Sequence, residues 1–253
     1  MSSTFEHQTL GDIVAGNYQA AEIFERYGLD FCCGGRNSLE KACRLHEVDL
    51  SAILAALKGL KAVTEPPLSS DPVALLTHIV SQHHAYVRRA IPSIQAHLAK
   101  VIGAHGARHP ELSAVARNFN HLADDLTRHL MKEEQVLFPY IRAIAESVQH
   151  GEPPPPDVFG TVQNPIRMLE TEHQEAGDEL AMIRVSTANY EPPEDACTTY
   201  RLVYAELREF ERDLHRHVHL ENNVLFPRAI ALEAQVSRKL HCEAPLDARE
   251  VER

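Results

Sequence analysis

Tryptophan is absent from the 253 residues, and Phe and Tyr bring the aromatic share to only 6 %. A core therefore has to rest chiefly on Leu, Ile, Val and Ala. Long uncharged apolar runs are missing, so no segment reads as membrane-spanning, and the chain does not begin with the basic-then-apolar order of a secretory signal. Cysteine is scarce. There are five, an odd number without framework spacing, which argues against a disulfide scaffold and suits a reducing cytoplasm. Positive charge is in deficit, with 25 Lys plus Arg against 36 Asp plus Glu, and the net charge of −11 argues against nucleic acid or an anionic membrane as partner. What is plentiful is histidine, at 16, and hydrophobic residues, at 44 %, enough for one or two cores.

The histidines fall into a repeat. Residues 125–139 and 213–227 both read D-x3-H-x3-E-x3-LFP, which aligns Asp125, His129 and Glu133 with Asp213, His217 and Glu221. A further His stands upstream of each copy at nearly equal distance, His84 before His129 and His173 before His217. Two His-bearing helix pairs of matched length predict a duplicated helical hairpin, and two such hairpins make a four-helix bundle with a twofold metal site in its core. Residues four apart share a helix face, so His129 with Glu133, and His217 with Glu221, can point at one ion. Imidazole suits iron, zinc and copper, and a carboxylate has two oxygens with which to bridge two ions. Four His and two Glu suffice for two metals, two His on each and both Glu bridging, with coordination positions left open. Asp125, Asp213 and Glu172 are expected behind the imidazoles, orienting them and offsetting charge, and Glu172 and Asp125 could also relay protons. Upstream, the spacing tolerates His83 as well as His84. His215 and His219 flank His217 but lie out of register, and His105 and His109 read as loop residues.

Proline-rich breaks divide the chain into a small helical domain at 1–63, a bundle at 71–238 and a polar tail at 239–253. Asp71 should cap a helix with Pro72 in its first turn. Bundle helices are expected at about 72–103, 110–148, 165–186 and 193–238, with Pro139 and Pro227 kinking theirs just past each Glu. In the first domain, Asn17, Ser38 and either Asp49 or Ser51 should start helices, and Gly28 should stop one. Its distinctive stretch is Asp30-Phe31-Cys32-Cys33-Gly34-Gly35-Arg36. Adjacent cysteines are neither a zinc knuckle nor a thioredoxin motif. They read either as two small residues in a turn or as an accessible, reactive thiol pair whose thiolates Arg36 favours.

The DFCCGG segment at 30–35, KEEQVLFP at 132–139, EHQEAG at 172–177 and HLENNVLFPRA at 219–229 together resemble the di-iron iron–sulfur cluster repair proteins, the repair-of-iron-centres family of ScdA/YtfE type. The resemblance spans about 8 to 232. It implies an all-α fold, a small N-terminal helical domain followed by a hemerythrin-like four-helix bundle. It also implies two non-haem iron ions with bridging carboxylates, on His84, His129, Glu133, His173, His217 and Glu221; Cys32 and Cys33, outside the repeat and beyond the linker, are expected to serve repair without building the iron site. The implied function is restoration of iron–sulfur clusters damaged by nitric oxide or peroxide, with iron–sulfur proteins and nitric oxide as partners. Nitric oxide reduction to nitrous oxide is an enzymatic activity implied for some members, and a homodimer remains open. The alternative is an oxygen or nitric oxide carrier or sensor of hemerythrin type, which would use five His where this chain offers four.

Overall fold

Side-chain caps start most helices of the first domain. Thr9 accepts from the N–H of Asp12 and opens α1 (Leu10–Gly16). At α2 (Ala20–Arg26) Asn17 stands two residues ahead of the cap position and accepts from the N–H of Gln19, so it shapes the approach rather than capping. Gly28, at φ 67°, takes the left-handed conformation that turns the chain away after α2. Ser38 opens α3 (Leu39–Leu45), and Asp49, not Ser51, opens α4 (Leu50–Lys58).

The computed structural model describes residues 5–60, 71–152, 156 and 159–243, with side chains through residue 237. The expected linker at 64–70, most of the Pro-rich crossover at 153–157 and the tail beyond 243 lie outside the described residues.

Asp71 caps the bundle's first helix as expected, accepting from Val73 and Ala74. From there α5 (Pro72–Ile79) runs through a π-turn at Val80–His84 into α6 (Ala85–His105). Next, α7 (Glu111–Lys132) runs through Glu133–Leu137 into α8 (Phe138–His150). The third helix, α9 (Gln163–Ser186), is uninterrupted, and α10 (Thr198–Leu220) runs through Glu221–Leu225 into α11 (Phe226–Glu243). These three composite helices and α9 form the bundle, α6 packing on α7 and α10, and α7 on α9. No strand occurs among the described residues. The last helix outruns its expected end at 238, while the start of α10 comes later than 193.

The prolines act differently from a simple kink. Pro139 and Pro227 lack the N–H that would bond the carbonyl four residues back, and their rings crowd it. In both copies the helix widens by one residue immediately ahead of the proline, so a π-turn beginning at Glu133 or Glu221 absorbs the misfit.

Buried apolar side chains form two clusters. One unites the first domain with the adjoining part of the bundle through Phe24, Phe31, Phe119, Tyr200 and Phe210. The other gathers Leu75, Ile79, Phe138, Ile166 and Phe226. Aliphatic residues fill most of both, yet these few aromatics are among the largest fully buried side chains, where helices of one core need bulk to interlock. Between the clusters lies a polar layer.

The first domain sits directly on the bundle. Asn223, in the second proline-associated π-turn, donates through Nδ2 to the carbonyls of Phe31 (3.2 Å) and Cys32 (3.0 Å). Gly11 and Gly35 make that approach feasible. A Cβ on Gly11 would lie 2.8 Å from Asn223 Cγ, and one on Gly35 would lie 2.5 Å from the Phe31 carbonyl. Arg216 over the Tyr18 ring, and the Arg212–Glu22 and Arg36–Glu170 ion pairs, add contacts around the rim.

Candidate metal centre

The polar layer is made of six side chains from all four bundle helices. His84, His129, Glu133, His173, His217 and Glu221 are each at most 4 % exposed. Their ligand-type atoms fall into two quartets, His84–Glu133–His217–Glu221 and His129–Glu133–His173–Glu221, with all four atoms of each within 4.8 Å of one another. Both carboxylates belong to both quartets. Glu133 faces His84 Nε2 with Oε2 at 3.4 Å and His129 Nε2 with Oε1 at 3.3 Å. Glu221 faces His217 Nε2 with Oε1 at 3.0 Å and His173 Nε2 with Oε2 at 3.2 Å. The π-turns supply this geometry, since each Glu begins one and each π-turn re-aims the chain that follows.

The donor set fits metal ions. His84 Nε2 lies 3.0 Å from His217 Nε2, and His129 Nε2 lies 2.9 Å from His173 Nε2. Two imidazole nitrogens bound to one ion at a right angle, each about 2.1 Å from it, lie about 3.0 Å apart. Both oxygens of Glu133 and Oε2 of Glu221 are buried with no hydrogen-bond partner. Buried carboxylate oxygens left unpaired are costly unless a cation meets them.

Behind the layer, each imidazole has a different backing. His84 Nδ1 meets Glu134 Oε1 at 2.6 Å, and Arg88 donates to the same oxygen. His129 Nδ1 meets Glu172 Oε2 at 2.9 Å, with Lys132 on the other carboxylate oxygen. His173 Nδ1 meets the amide oxygen of Asn222 at 2.8 Å, and His217 Nδ1 has no hydrogen-bond partner. Burial opposes charge on His129, but the nearby Glu133 charge and the bond to Glu172 overcome it and push its pKa up to about 10. The bond to His129, helped by Lys132 against burial, lowers Glu172 to about 2. At His217 burial prevails over Glu221 and lowers the pKa.

Glu172 therefore stands where the sequence expects it, behind an imidazole, whereas Asp125 and Asp213 do not. Asp125 pairs with Arg128 and His121, because Glu172 reaches across from α9 to occupy His129 Nδ1. Asp213 pairs with His83 at 3.0 Å. Glu134 and Asn222 are the backing residues that the sequence reading missed. His83 stays out of the layer, its ring stacked on His217 at 5.6 Å. His219 turns to Asn223 and to the edge of Phe31, and burial lowers its pKa to about 4.

Residues 75–229 match the hemerythrin HHE cation binding domain, and residues 6–61 match ScdA_N, a domain of unknown function. A protein of Enterobacter sp. (strain 638), named iron-sulfur cluster repair protein YtfE, is 37 % identical over 90 % of this chain and 99 % of its own. Proteins of the same name from Yersinia pseudotuberculosis serotype IB (strain PB1/+) and Escherichia coli O157:H7 are 36 % and 35 % identical, covering 89 % and 90 % of this chain and 98 % and 99 % of theirs. The chain belongs to the YtfE family.

Two further features bear on how a YtfE-family site is reached. A cavity of about 150 Å³ opens between α7 and α9, with His129 and His173 in its wall and Glu172, Lys132 and Asp125 nearer its mouth. Of the two readings left open for the cysteine pair, the structure places it in a turn that is only partly accessible. Cys32 is buried and Cys33 half-buried, and the N–H groups of Cys32, Cys33 and Gly34 all donate to the Asp30 carboxylate. Its hydrogen bond with Cys33, burial and the Asp30 charge hold the Cys32 thiol well above its usual pKa, so the expected thiolate is disfavoured there. Arg36, expected to favour it, is paired with Glu170. The pair is nevertheless joined to the layer. Asn222, which backs His173, also reaches the Cys32 carbonyl at 3.5 Å through its amide nitrogen. Among the described residues, no helix is long and apolar enough to cross a membrane.

Proposed function

We propose that this chain holds a non-haem di-iron centre and uses it to repair iron–sulfur clusters damaged by nitrosative or oxidative stress. His84 and His217 would hold one iron, His129 and His173 the other, with Glu133 and Glu221 bridging both. The carrying observation is that each carboxylate directs one oxygen to each His pair inside a fully buried layer. The names of the YtfE relatives support the repair role. Iron there would supply open coordination positions for a small ligand such as nitric oxide, or would itself be the cargo given to a damaged cluster. The chain's own groups define the rest. Glu134 and Glu172 hold His84 and His129 in orientation by fixing Nδ1, which leaves Nε2 for the ion. Glu172, on the cavity wall, can pass a proton between water and the centre if nitric oxide is reduced. A cytoplasmic setting belongs to this reading, supported by four described cysteines that are all free.

The test is elemental analysis of anaerobically purified protein beside recovery of an iron–sulfur enzyme damaged by nitric oxide. The parent should approach two irons per chain and restore the enzyme. A Glu133→Ala, Glu221→Ala variant should lose both iron and repair, and full iron retention in that variant would sink the assignment. A reversible oxygen adduct with no reaction toward nitric oxide would favour the carrier instead.

A further inference from the structure

The peptide between the two adjacent cysteines is held at both ends. Its N–H, on Cys33, donates to Asp30 Oδ1 at 2.9 Å. Its carbonyl, on Cys32, accepts from Asn223 Nδ2 at 3.0 Å and from Asn222 Nδ2 at 3.5 Å. Asn222 is buried, and its amide oxygen accepts from Nδ1 of His173 at 2.8 Å. Two hydrogen bonds through one side chain therefore join the Cys32–Cys33 peptide to an imidazole of the buried layer. In the first copy of the repeat the matching residue, Glu134, is taken up by His84 and Arg88.

The thiols are placed to react with each other. Their sulfurs lie within 4.8 Å, and Cys32 Sγ donates to Asp30 Oδ1 at 3.1 Å. A cavity of about 180 Å³ between the first domain and the bundle has Cys33 in its wall, beside Gln174, Asp178 and His215, with room for a molecule as small as a peroxide. Neighbouring Cα atoms are about 3.8 Å apart, closer than the roughly 4.4–6.8 Å that a disulfide ordinarily spans. A ring between adjacent residues closes only if the peptide inside it turns. Turning it carries the Cys32 carbonyl away from Asn222 and Asn223. The Asn222 amide then loses the bond that holds its oxygen toward His173.

We propose that Cys32 and Cys33 form a site of oxidation by hydrogen peroxide, closing to a disulfide that releases Asn222 and loosens His173 on its ion. The last step rests on the reading of the layer as an iron centre; the earlier ones do not. Cys33, on the cavity wall, attacks one oxygen of the peroxide. The O–O bond breaks, the Cys33 proton leaves with the other oxygen as water, and a sulfenic acid remains. Cys32 Sγ then attacks the oxidised sulfur and the S–O bond breaks. The hydroxyl departs as a second water with the Cys32 proton, which passes by way of Asp30 Oδ1. Two electrons move from the sulfurs to the peroxide, and nothing else is consumed.

The experiment treats the reduced, metal-free full chain with one equivalent of hydrogen peroxide, beside Cys33→Ser and Asn222→Ala. After alkylation under denaturation, the parent peptide carrying Cys32 and Cys33 should lack two hydrogen atoms and take no label, while Cys32 of Cys33→Ser should be labelled. Ring-nitrogen resonances of His173 should shift on oxidation of the parent, and those of His84, backed by Glu134, should stay in place. Loaded afterwards with Fe2+, anaerobically and without added thiol, the oxidised parent should hold iron about tenfold less tightly against a chelator than the reduced parent, as when a residue backing a metal-ligating His is lost. Cys33→Ser should hold iron alike before and after peroxide. Asn222→Ala should hold it weakly in both states, with no further loss on oxidation. A parent pair that still takes two labels overturns the site. A disulfide that leaves the His173 resonances and the iron affinity unchanged overturns the coupling through Asn222. A reduced parent that takes up no iron overturns the reading of the centre, and the peptide mass and His173 resonances of the metal-free chain then decide the dithiol by themselves.

Discussion

The two halves of the bundle carry the same ligands and differ in everything behind them. The residue before the upstream His is His83 in one half and Glu172 in the other. By the pseudo-twofold relation each addresses the downstream His of the opposite half. Glu172 bonds His129, whereas His83 can only stack on His217 and bond Asp213, leaving His217 Nδ1 unpartnered. The residue after each bridging Glu is Glu134 or Asn222, and these back His84 and His173. One end of the layer, at His129 and His173, thus opens on a cavity, the other, at His84 and His217, is covered by His83, and Asn222 and Asn223 tie the second half to the first domain. Duplication fixes the six buried side chains, and divergence one residue away decides which end of the layer is reachable.

Removing the clamp should have the largest effect on that difference. Gly35→Ala places a Cβ 2.5 Å from the Phe31 carbonyl, which cannot yield without moving the loop, and against the Asn223 amide, which would have to turn away from its bonds. A loss of about 3 kcal/mol in urea unfolding is expected, with faster labelling of Cys33 by a thiol reagent. Parent-like stability and labelling would show that the clamp is not tight.

The open half is sensitive to acid. Glu172 has its folded pKa depressed from 4.5 to about 2, so its contribution is present above 4.5 and lost as pH falls through about 2. Metal-free Glu172→Gln should be about 2 kcal/mol less stable than the metal-free parent at neutral pH, in line with a hydrogen bond between charged groups. The gap should close on acidification across that window. Urea midpoints measured at a series of pH values check this, and a gap that does not change with pH would refute it.

The smallest expected effects come from the paired aspartates. Asp213→Asn breaks a largely buried bond to His83 and should cost about 1 kcal/mol, while Asp125→Asn, with exposed partners, should stay within about 0.5 kcal/mol. Thermal or urea unfolding of both variants tests the ranking, and equal costs would mean that the halves are alike after all.

The six side chains of the buried layer were legible because the sequence states their pattern twice, and the helix ends were legible because Asp71, Ser38 and Asp49 are caps that need no distant partner. Glu134 and Asn222 were legible in principle. They stand at one repeat position, directly after Glu133 and Glu221, and the register that found the ligands also marks them. The two π-turns ahead of Pro139 and Pro227 were not, because composition does not distinguish a proline kink from a widened turn, and the one at Val80–His84 has no proline to mark it. Nor was the seating of the Cys32–Cys33 loop on the bundle, which joins residues almost two hundred positions apart. Its only trace is that Asn222-Asn223 replaces Glu134-Gln135 between the copies. Asp125 and Asp213 misled because helical spacing places a residue on a face without saying whether another helix has already taken the bond.

The apolar interior is cut in two by the layer of six ligands, with Phe24, Phe119 and Phe210 on one side and Leu75, Phe138 and Phe226 on the other. Such a slab sets carboxylate oxygens with no hydrogen-bond partner where a continuous core would have methyl groups. Only positive charge between the Glu133 and Glu221 side chains makes the two blocks one. With no cation between them, these oxygens weaken the cohesion of the molecule's own middle. The helices that pass through the slab are then the mechanical link between two small cores, and the empty and filled forms differ in rigidity before they differ in shape.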